Sequence, residues 1–229
     1  MNTARGRSSA RGRRRRKRAT AVTARAVVSG GLREPSSTRL LADRIDAAVR
    51  AELARSHVSA TSSVIELRPL GRSIMDAMLT GFAVSELEQA FRVLSEADGL
   101  IAVTPAFNAS FSGLFKSFFD VLPEETLSGV PVLIAATGGT ERHSLVLEHA
   151  MRPMFSYLHA IVSPTGVYAA TDDFGNHAGA SGLGERISQA ASDFARLISS
   201  CGPRKRRDVF TEEVDEMTRL LTGVEQPHQ

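Results

Sequence analysis

The stretch VTARAVVSGGLREPSST, residues 22–38, decides the fold because a strand, a polar loop and the start of a helix follow one another in it. Residues 22–29 are dominated by valine and alanine, which predicts a strand. The loop ends in three hydroxyl side chains at residues 36–38, and such residues are preferred at helix N-caps. The apolar spacing that follows predicts a helix from about residue 38 to residue 56. A strand that leads through a short loop into a helix is the first unit of an α/β domain.

The same alternation continues along the chain. Further strands are predicted over residues 63–67, 99–103, 130–136 and 161–168. Further helices are predicted over residues 85–97, 110–122, 141–159, 183–200 and, as a short last element, 211–221. Residues 68–83 are expected to be irregular. Five strands that alternate with helices predict a doubly wound parallel sheet, because parallel neighbours need crossover connections.

Composition is consistent with one globular domain followed by a short extension. The 229 residues are 42% hydrophobic and 23% charged, which suits a single α/β core at residues 21–201. Residues 202–229 are predicted to be a C-terminal extension that carries the short helix. No apolar run approaches the roughly 18–20 residues that span a bilayer, so we expect no membrane segment. The single cysteine fits a reducing cytoplasm.

The positive net charge of +3 comes from a basic N-terminal segment. Nine arginine and lysine residues lie between Arg5 and Arg18, with no acidic residue among them. Without them the chain has 19 basic against 25 acidic residues, so the body is acidic. Such an arm could contact nucleic acid, but a nucleic-acid domain needs basic residues across its fold. We therefore predict a disordered basic tail at residues 1–20 and no specific nucleic-acid binding.

The loop after the first strand is a candidate anion site. Backbone N–H groups at a helix N-terminus, together with the helix dipole, favour a negative charge. The loop lacks both the nucleoside-triphosphate pattern G-x-x-x-x-G-K-[ST] and the dinucleotide pattern G-x-G-x-x-G. Its hydroxyl groups suit a phosphate monoester, although an ordinary N-cap would use the same residue types. The candidate ligands of the phosphate are Ser29, Arg33, Ser36, Ser37 and Thr38.

Two further loops follow buried strands. In TPAFNAS, residues 104–110, Phe107 offers an aromatic face and Asn108 offers an amide, which suit a flat heteroaromatic ring, although Phe107 could also simply fill the core. In TGGT, residues 137–140, paired glycines either let the backbone approach a ligand or make a turn. The carboxyl ends of parallel strands form one edge of the sheet, so we expect these loops to lie together.

Three segments carry a family resemblance: SGGLREPSSTR, TPAFNASFSGLFKSFFD and ATGGTERHSLVLEHAMRPMFSYL. Together they resemble the NAD(P)H-dependent FMN reductase family of flavodoxin-like proteins. Within it, the chain is similar to an actinobacterial branch whose members are paired with luciferase-like flavin monooxygenases. The resemblance covers roughly residues 22–200. It implies a flavodoxin-like five-stranded sheet of order 2-1-3-4-5, with FMN as cofactor and NADPH or NADH as electron donor.

The resemblance also implies a distribution of roles. The five candidate residues of the first loop would hold the FMN phosphate. Ribityl and ring contacts would come from Thr104, Pro105, Phe107 and Asn108, and contacts at the polar edge of the ring from Thr137, Gly138 and Gly139. Arg142 and His143 are candidates for the phosphates of the nicotinamide nucleotide, although His143 could equally be a solvated residue of a first helical turn.

One position departs from the family pattern. Gly31 stands where a serine is usual, so Ser29 is expected to supply the missing hydroxyl. On that assignment, Ser29→Ala should weaken FMN binding more than Ser37→Ala.

The implied reaction is hydride transfer from nicotinamide to flavin N5, with the reduced flavin supplied to a partner monooxygenase. Such chemistry resides in the cofactor and needs no catalytic acid–base pair, and the scattered histidines predict no metal site. A quinone or azo reductase that retains FMN, or a flavodoxin-type electron carrier, remains an alternative. Wide apolar stripes on the helices at 110–122 and 141–159 predict a homodimer or tetramer.

Overall fold

A computed structural model describes residues 22–175 and 177–204, with only the backbone described at 177–181. Its parallel sheet has the order β2-β1-β3-β5. Two short strands, β6 and β7, follow one another along the outer side of β5, where β6 pairs with its first half and β7 with its second half. The strands are β1 (Val22–Ser29), β2 (Ser59–Glu66), β3 (Gly99–Phe107), β4 (Ser110–Phe111), β5 (Pro131–Gly138), β6 (Ile161–Val162) and β7 (Val167–Ala170). The helices are α1 (Ser37–Arg55), α2 (Leu67–Thr80), α3 (Ser85–Ser95), α4 (Gly113–Asp120), α5 (Arg152–Tyr157) and α6 (His177–Cys201).

The predicted fold class and strand order are confirmed. Because β6 and β7 both pair with β5, they occupy the fifth position, and the sheet has the flavodoxin-like order 2-1-3-4-5. Among the described strands only the two-residue β4 is antiparallel, and it pairs with the end of β3. Because β2 is added on one side of β1 and β3 on the other, the order of strand addition reverses between β1 and β3. This is the switch point where ligands bind in this architecture.

Helices cover both faces of the sheet. On one face Val27 of β1 packs in a core with the buried sides of α1 and α6. On the other face Ala26 and Val28 pack in a core with α2, α3, α4 and α5. Successive side chains of a strand point to opposite faces, so both cores draw on the same apolar runs. This explains why β3 and β5 read as nearly continuous apolar sequence.

Several predicted elements were wrong in detail. The strand predicted over 161–168 is divided into β6 and β7, and the strand predicted over 63–67 begins at Ser59. Residues 68–83, expected to be irregular, contain most of helix α2. The helix predicted from residue 110 begins at Gly113, because Ser110 and Phe111 first pair back with β3. The helix predicted over 141–159 is divided into a 3₁₀ turn (Glu141–His143), a π-helical turn (Leu147–Met151) and α5. Pro153 near the start of α5 has no N–H to give to a preceding turn, so a regular α-helix cannot continue through it.

The predictions for the two ends of the chain lie outside the described residues. They concern the basic tail at 1–20 and the short helix at 211–221. Within the described ranges, no helix is both long and apolar enough to cross a membrane.

The apolar stripe of α4 is used within one chain. Phe115, Phe118 and Phe119 are at most 3% exposed and form edge-on ring contacts with one another and with Phe155 of α5. These side chains therefore need no second subunit to bury them. The homodimer or tetramer through residues 110–122 and 141–159 stays a prediction.

Candidate functional site

Three loops meet at the carboxyl edge of the sheet. In the strand register Ser29 at the end of β1 lies beside Val103 of β3, and Pro105 of β3 lies beside Thr137 of β5. The loops after β1, β3 and β5 therefore start from three adjacent strands. The sequence predicted that these loops would share one edge, and the register confirms it.

The first loop crosses over the end of β3. Gly30 donates its N–H to the carbonyl of Val103 at 2.8 Å. A Cβ atom at position 30 would lie 3.2 Å from the ring of Phe115, a fully buried side chain that leaves little room. Gly30 therefore lets the loop run close to the strand, a role that no local sequence pattern indicated.

Ser36 caps helix α1 and fills the space beside Gly31. Its Oγ accepts the N–H of Arg39 at 3.1 Å. A Cβ atom at Gly31 would overlap Ser36 Oγ, so this hydroxyl occupies the place where a side chain at 31 would begin. The N–H groups of Ser37 and Thr38 lie in the first helical turn, where no preceding carbonyl of the helix is available. The loop thus presents free N–H groups, hydroxyls and the positive end of the helix dipole.

A buried hydrogen bond ties the first loop to the third. The hydroxyls of Thr38 and Thr137 are 2.8 Å apart, and these residues are 3% and 4% exposed. This contact joins the N-terminus of α1 to the end of β5, two points 99 residues apart in the chain. Both threonines were predicted site residues, and the structure brings them together.

The other candidates of the first loop differ in burial. Arg33 and Ser37 are exposed, so both are accessible to a ligand. Ser29 is only 2% exposed and lies at the end of β1 on the same face as Val27. Its hydroxyl is therefore beneath the loop, on the side covered by α1.

Two ion pairs that were not predicted connect this loop and the first turn of α1 to the start of α2. Glu34 pairs with Arg68 at 2.8 Å, and Arg39 pairs with Glu66. Both pairs are solvent-exposed, so each contributes at most about 1 kcal/mol to stability. Nothing in the local sequence marks these partners, because they lie about 30 residues apart.

The second loop is a tight β-hairpin. Asn108 and Ala109 connect β3 to β4, and both have left-handed backbone conformations, with φ of 47° and 63°. Positive φ at both central residues is the signature of a two-residue hairpin turn. The turn raises Phe107 to the surface, where it is 43% exposed. Phe107 is therefore available for stacking and does not fill the core.

Thr104 anchors this hairpin from below. Its buried Oγ1 accepts the N–H of Ser112 at 3.1 Å, and Ser112 in turn caps α4 by accepting the N–H of Phe115 at 3.3 Å. Thr104 and Pro105 are thus buried supports of the loop. A serine directly before a helix is the sequence signal that could have identified Ser112.

The third loop is held by Tyr168 of β7. Tyr168 donates its hydroxyl to the carbonyl of Thr140 at 2.7 Å. Burial raises the pKa of this phenol, and the nearby carboxylate of Asp173 raises it further. Gly139 is exposed with open space around its α-carbon, and no described residue accepts its N–H. Arg142 and His143 follow in the exposed 3₁₀ turn.

These groups fit FMN. One end of the site offers cations, hydroxyls and free N–H groups for a phosphate, and the other offers an exposed aromatic ring and an open glycine backbone for a flat heteroaromatic ring. Within the part of the chain that the structure describes, no cluster of three or more histidine, cysteine or acidic side chains could hold a metal ion.

Fold and site together define a flavodoxin-like flavin-binding protein, with the site at the switch point between β1 and β3. The chain belongs to the NADPH-dependent FMN reductase family, whose family model matches residues 25–175. This membership confirms the predicted enzyme class and the predicted use of FMN and NAD(P)H. The assignment to an actinobacterial branch stays a prediction.

Individual relatives agree with the family. The chain is 39% identical to the NADH-dependent FMN reductase SfnE of Pseudomonas putida, over 76% of this chain and 91% of that protein. It is 47% identical to an oxidoreductase of Corynebacterium diphtheriae of known structure, with a TM-score of 0.74 over 78% of this chain and 98% of that one. A solved NADH:FMN oxidoreductase, EMOB, is 29% identical, with a TM-score of 0.61 over 74% and 88% of the two chains.

Proposed function

We propose that this chain uses NADPH or NADH to reduce FMN and passes the reduced flavin to a partner monooxygenase. The observation that supports this proposal is the meeting of an anion cradle and an exposed aromatic loop at one switch point. The proposal of a partner monooxygenase rests only on the family resemblance of the three site segments. The family name specifies NADPH and the name of the Pseudomonas putida relative specifies NADH, so both nucleotides are tested as donors.

The first loop would hold the FMN phosphate. Its exposed cation, Arg33, and the hydroxyl of Ser37 are accessible, and the first-turn N–H groups of α1 add fixed positive potential. Thr38 would contribute its N–H, while its hydroxyl is bonded to that of Thr137. The first-turn N–H donors are held by the backbone before the phosphate arrives, which reduces the entropy lost on binding.

The hydroxyl that a serine at position 31 would supply is available from Ser36. Its oxygen accepts the capping N–H of Arg39, which leaves its proton free to donate to a phosphate oxygen. Ser29 is a weaker candidate because of its burial beneath the loop. We therefore expect Ser36→Ala to weaken FMN binding more than Ser29→Ala, and equal affinities in the two variants would contradict this assignment.

The second and third loops would hold the flavin ring. Phe107 would cover part of one face and Asn108 would offer an amide to the heteroatoms, above the buried supports Thr104 and Pro105. The open N–H of Gly139 would meet the polar edge of the ring, with Thr137 and Gly138 forming the base of the loop. Bound FMN supplies the redox chemistry by accepting a hydride from nicotinamide at N5. The protein's part is to orient the two rings and to exclude water.

Arg142 and His143 would meet the phosphates of the nicotinamide nucleotide. Both are exposed beside Gly139, close to the ring end of the site. Arg142→Ala is expected to raise KM for the nucleotide and leave the FMN affinity unchanged. A rise in the Kd for FMN with no change in KM for the nucleotide would contradict this assignment.

Steady-state oxidation of NADPH and NADH tests the proposed reaction. FMN, riboflavin and a quinone serve as acceptors, and FMN is expected to give the highest kcat/KM. No flavin-stimulated oxidation of either nucleotide would refute the proposal. Faster reduction of the quinone by enzyme that keeps its FMN would favour the quinone reductase alternative. Arg33→Ala should weaken FMN but not riboflavin, because riboflavin has no phosphate.

A cytoplasmic location, a homodimer or tetramer, and the absence of nucleic-acid and membrane partners complete the proposal. Light scattering at micromolar concentration tests the oligomer, and a monomer would contradict it. Removal of residues 1–18 tests the basic tail. The truncated chain is expected to keep full flavin reductase activity.

A further inference from the structure

Tyr168 lies directly beneath the loop that follows β5. It belongs to β7 and pairs in register with Ala136 of β5, two residues before Gly138. The residue is 8% exposed and its hydroxyl donates to Thr140 at 2.7 Å. The side chain therefore reaches from a neighbouring strand to the far side of the loop 137–140.

The ring of Tyr168 also packs against Gly138. A Cβ atom at this glycine would lie 3.1 Å from Tyr168 Cζ and would overlap the hydroxyl oxygen. Gly138 is therefore needed because the tyrosine is there. The close contact between Gly138 and Tyr168 sets how near the backbone of the loop 137–140 lies to β7.

The hydrogen bonds on this loop orient its peptide groups. The Thr140 carbonyl is engaged by Tyr168, and Thr171 lies with its hydroxyl 3.5 Å from the Gly138 carbonyl. Carbonyls on either side of residue 139 are thus turned towards β7 and the segment that follows it. Among the described residues, nothing accepts the N–H of Gly139, so this donor stays available to a ligand.

We propose that Tyr168 is the positioning residue for the isoalloxazine end of the flavin site. It acts through Thr140 and Gly138, without contact to the flavin itself. The inference rests on the proposed function, in which the loop 137–140 meets the polar edge of the ring. It concerns the ring end alone, so it predicts an effect that does not depend on the phosphate.

Fluorescence titration of Tyr168→Phe with FMN and with riboflavin tests the inference. The phenylalanine keeps the packed ring and loses only the hydroxyl, so both flavins should bind about fivefold more weakly, by the same factor. The melting temperature of the flavin-free protein should change by less than about 3 °C. Arg33→Ala serves as the contrast, because it should weaken FMN alone.

Tyr157→Phe is the matched control. The chain has only two tyrosines, and Tyr157 is 83% exposed on α5. Its substitution should leave both flavin affinities unchanged. Wild-type affinities in Tyr168→Phe, or a loss equal to that of Tyr157→Phe, would overturn the inference. Failure of the unmodified protein to bind either flavin would instead overturn the proposed function.

A double-mutant cycle adds a second readout. Gly138→Ala should weaken flavin binding at least about tenfold, because the new methyl group displaces Tyr168 or the loop. In the Tyr168→Phe background the overlapping oxygen is gone, and the same change should cost about threefold less. Equal costs in the two backgrounds would overturn the contact between these residues as the cause.

Discussion

The amino edge and the carboxyl edge of the sheet differ in whether their backbone N–H groups are hydrogen-bonded within the protein. At the amino edge Asp98 uses both carboxylate oxygens, accepting the N–H of Ala24 at 2.8 Å and the N–H of Arg204 at 2.9 Å. At the carboxyl edge the N–H groups of Ser37, Thr38 and Gly139 have no acceptor among the described residues. One edge is closed by the protein's own carboxylate, and the other is left open for a ligand.

The face of β1 towards α1 and α6 shows the same difference within one strand. Near its start Arg25 is 2% exposed and bonds to Asp46 at 2.8 Å, while Ser62 donates to the other oxygen of Asp46 at 2.8 Å. At its end Ser29 leads into a loop rich in unused donors. Buried polar groups that find partners inside the fold serve stability, and exposed donors without a partner are available to a ligand. Substitutions at the two ends should therefore separate stability from flavin affinity.

The largest expected effect on stability is at the start of β1, where Arg25 pairs with Asp46. Asp46→Ala leaves the Arg25 guanidinium buried without its counterion, which should lower the free energy of unfolding by about 3–5 kcal/mol. Urea unfolding measures the loss, and the FMN affinity of the protein that remains folded should not change. Asp43→Ala is the matched control, since this aspartate on the same helix forms an exposed pair with Arg39 and should cost less than about 1 kcal/mol. Equal losses would show that burial of the pair is unimportant.

The next effect is at the carboxyl edge, where a buried hydrogen bond between Thr38 and Thr137 joins the first loop to the third. Thr38→Val leaves the buried hydroxyl of Thr137 without its partner, which should lower the free energy of unfolding by about 1–3 kcal/mol. The Thr38→Val/Thr137→Val double variant should lose less than the sum of the single changes. Thr61→Val, on an exposed position of β2, should stay within about 0.5 kcal/mol of the unmodified protein. Additive losses would show that the two hydroxyls are not coupled.

A smaller and stabilising effect is expected in the hairpin. Ala109 has φ of 63°, a conformation that disfavours residues with a Cβ atom by about 1–2 kcal/mol, whereas glycine adopts it readily. Ala109→Gly should raise stability by about 1 kcal/mol, or about 2–4 °C in the melting temperature. The reverse substitution, Gly184→Ala at an exposed position of α6, is the control. It should raise stability through helix propensity and leave the candidate site unchanged. A fall in melting temperature on Ala109→Gly would contradict the left-handed turn.

The sequence predicted which loops meet at the carboxyl edge better than it predicted the helices and turns around that edge. Apolar runs identified β1, β3 and β5, and the rule that parallel strands share a carboxyl edge placed their loops together. Helix α2 was missed because Pro69 and Gly71 read as helix breakers. Pro69 is the third residue of α2, where its missing N–H would have had no helical acceptor in any case, so it does not break the helix.

The hairpin and the support of the third loop were missed for other reasons. The turn at Asn108 lacks the glycine that usually follows asparagine in a two-residue hairpin, so its sequence signal is weak. The contact between Gly138 and Tyr168 joins residues 30 positions apart, and only the pairing of β7 with β5 brings them together. Local patterns can show that a loop carries a glycine but not which side chain requires it.

The smallest effect concerns the single buried phenol beneath the open edge. Burial raises the pKa of Tyr168 above the ordinary value of 10.0, so the folded state keeps this proton at a pH where the unfolded state has lost it. Its contribution to stability is complete below the ordinary pKa and is lost as the pH rises through the raised one. In Tyr157→Phe the tyrosinate absorbance reports Tyr168 alone, and it should titrate above pH 10. Titration at or below the ordinary pKa would show that the hydroxyl is solvated, and the support of the third loop would then resemble the open edge more than the closed one.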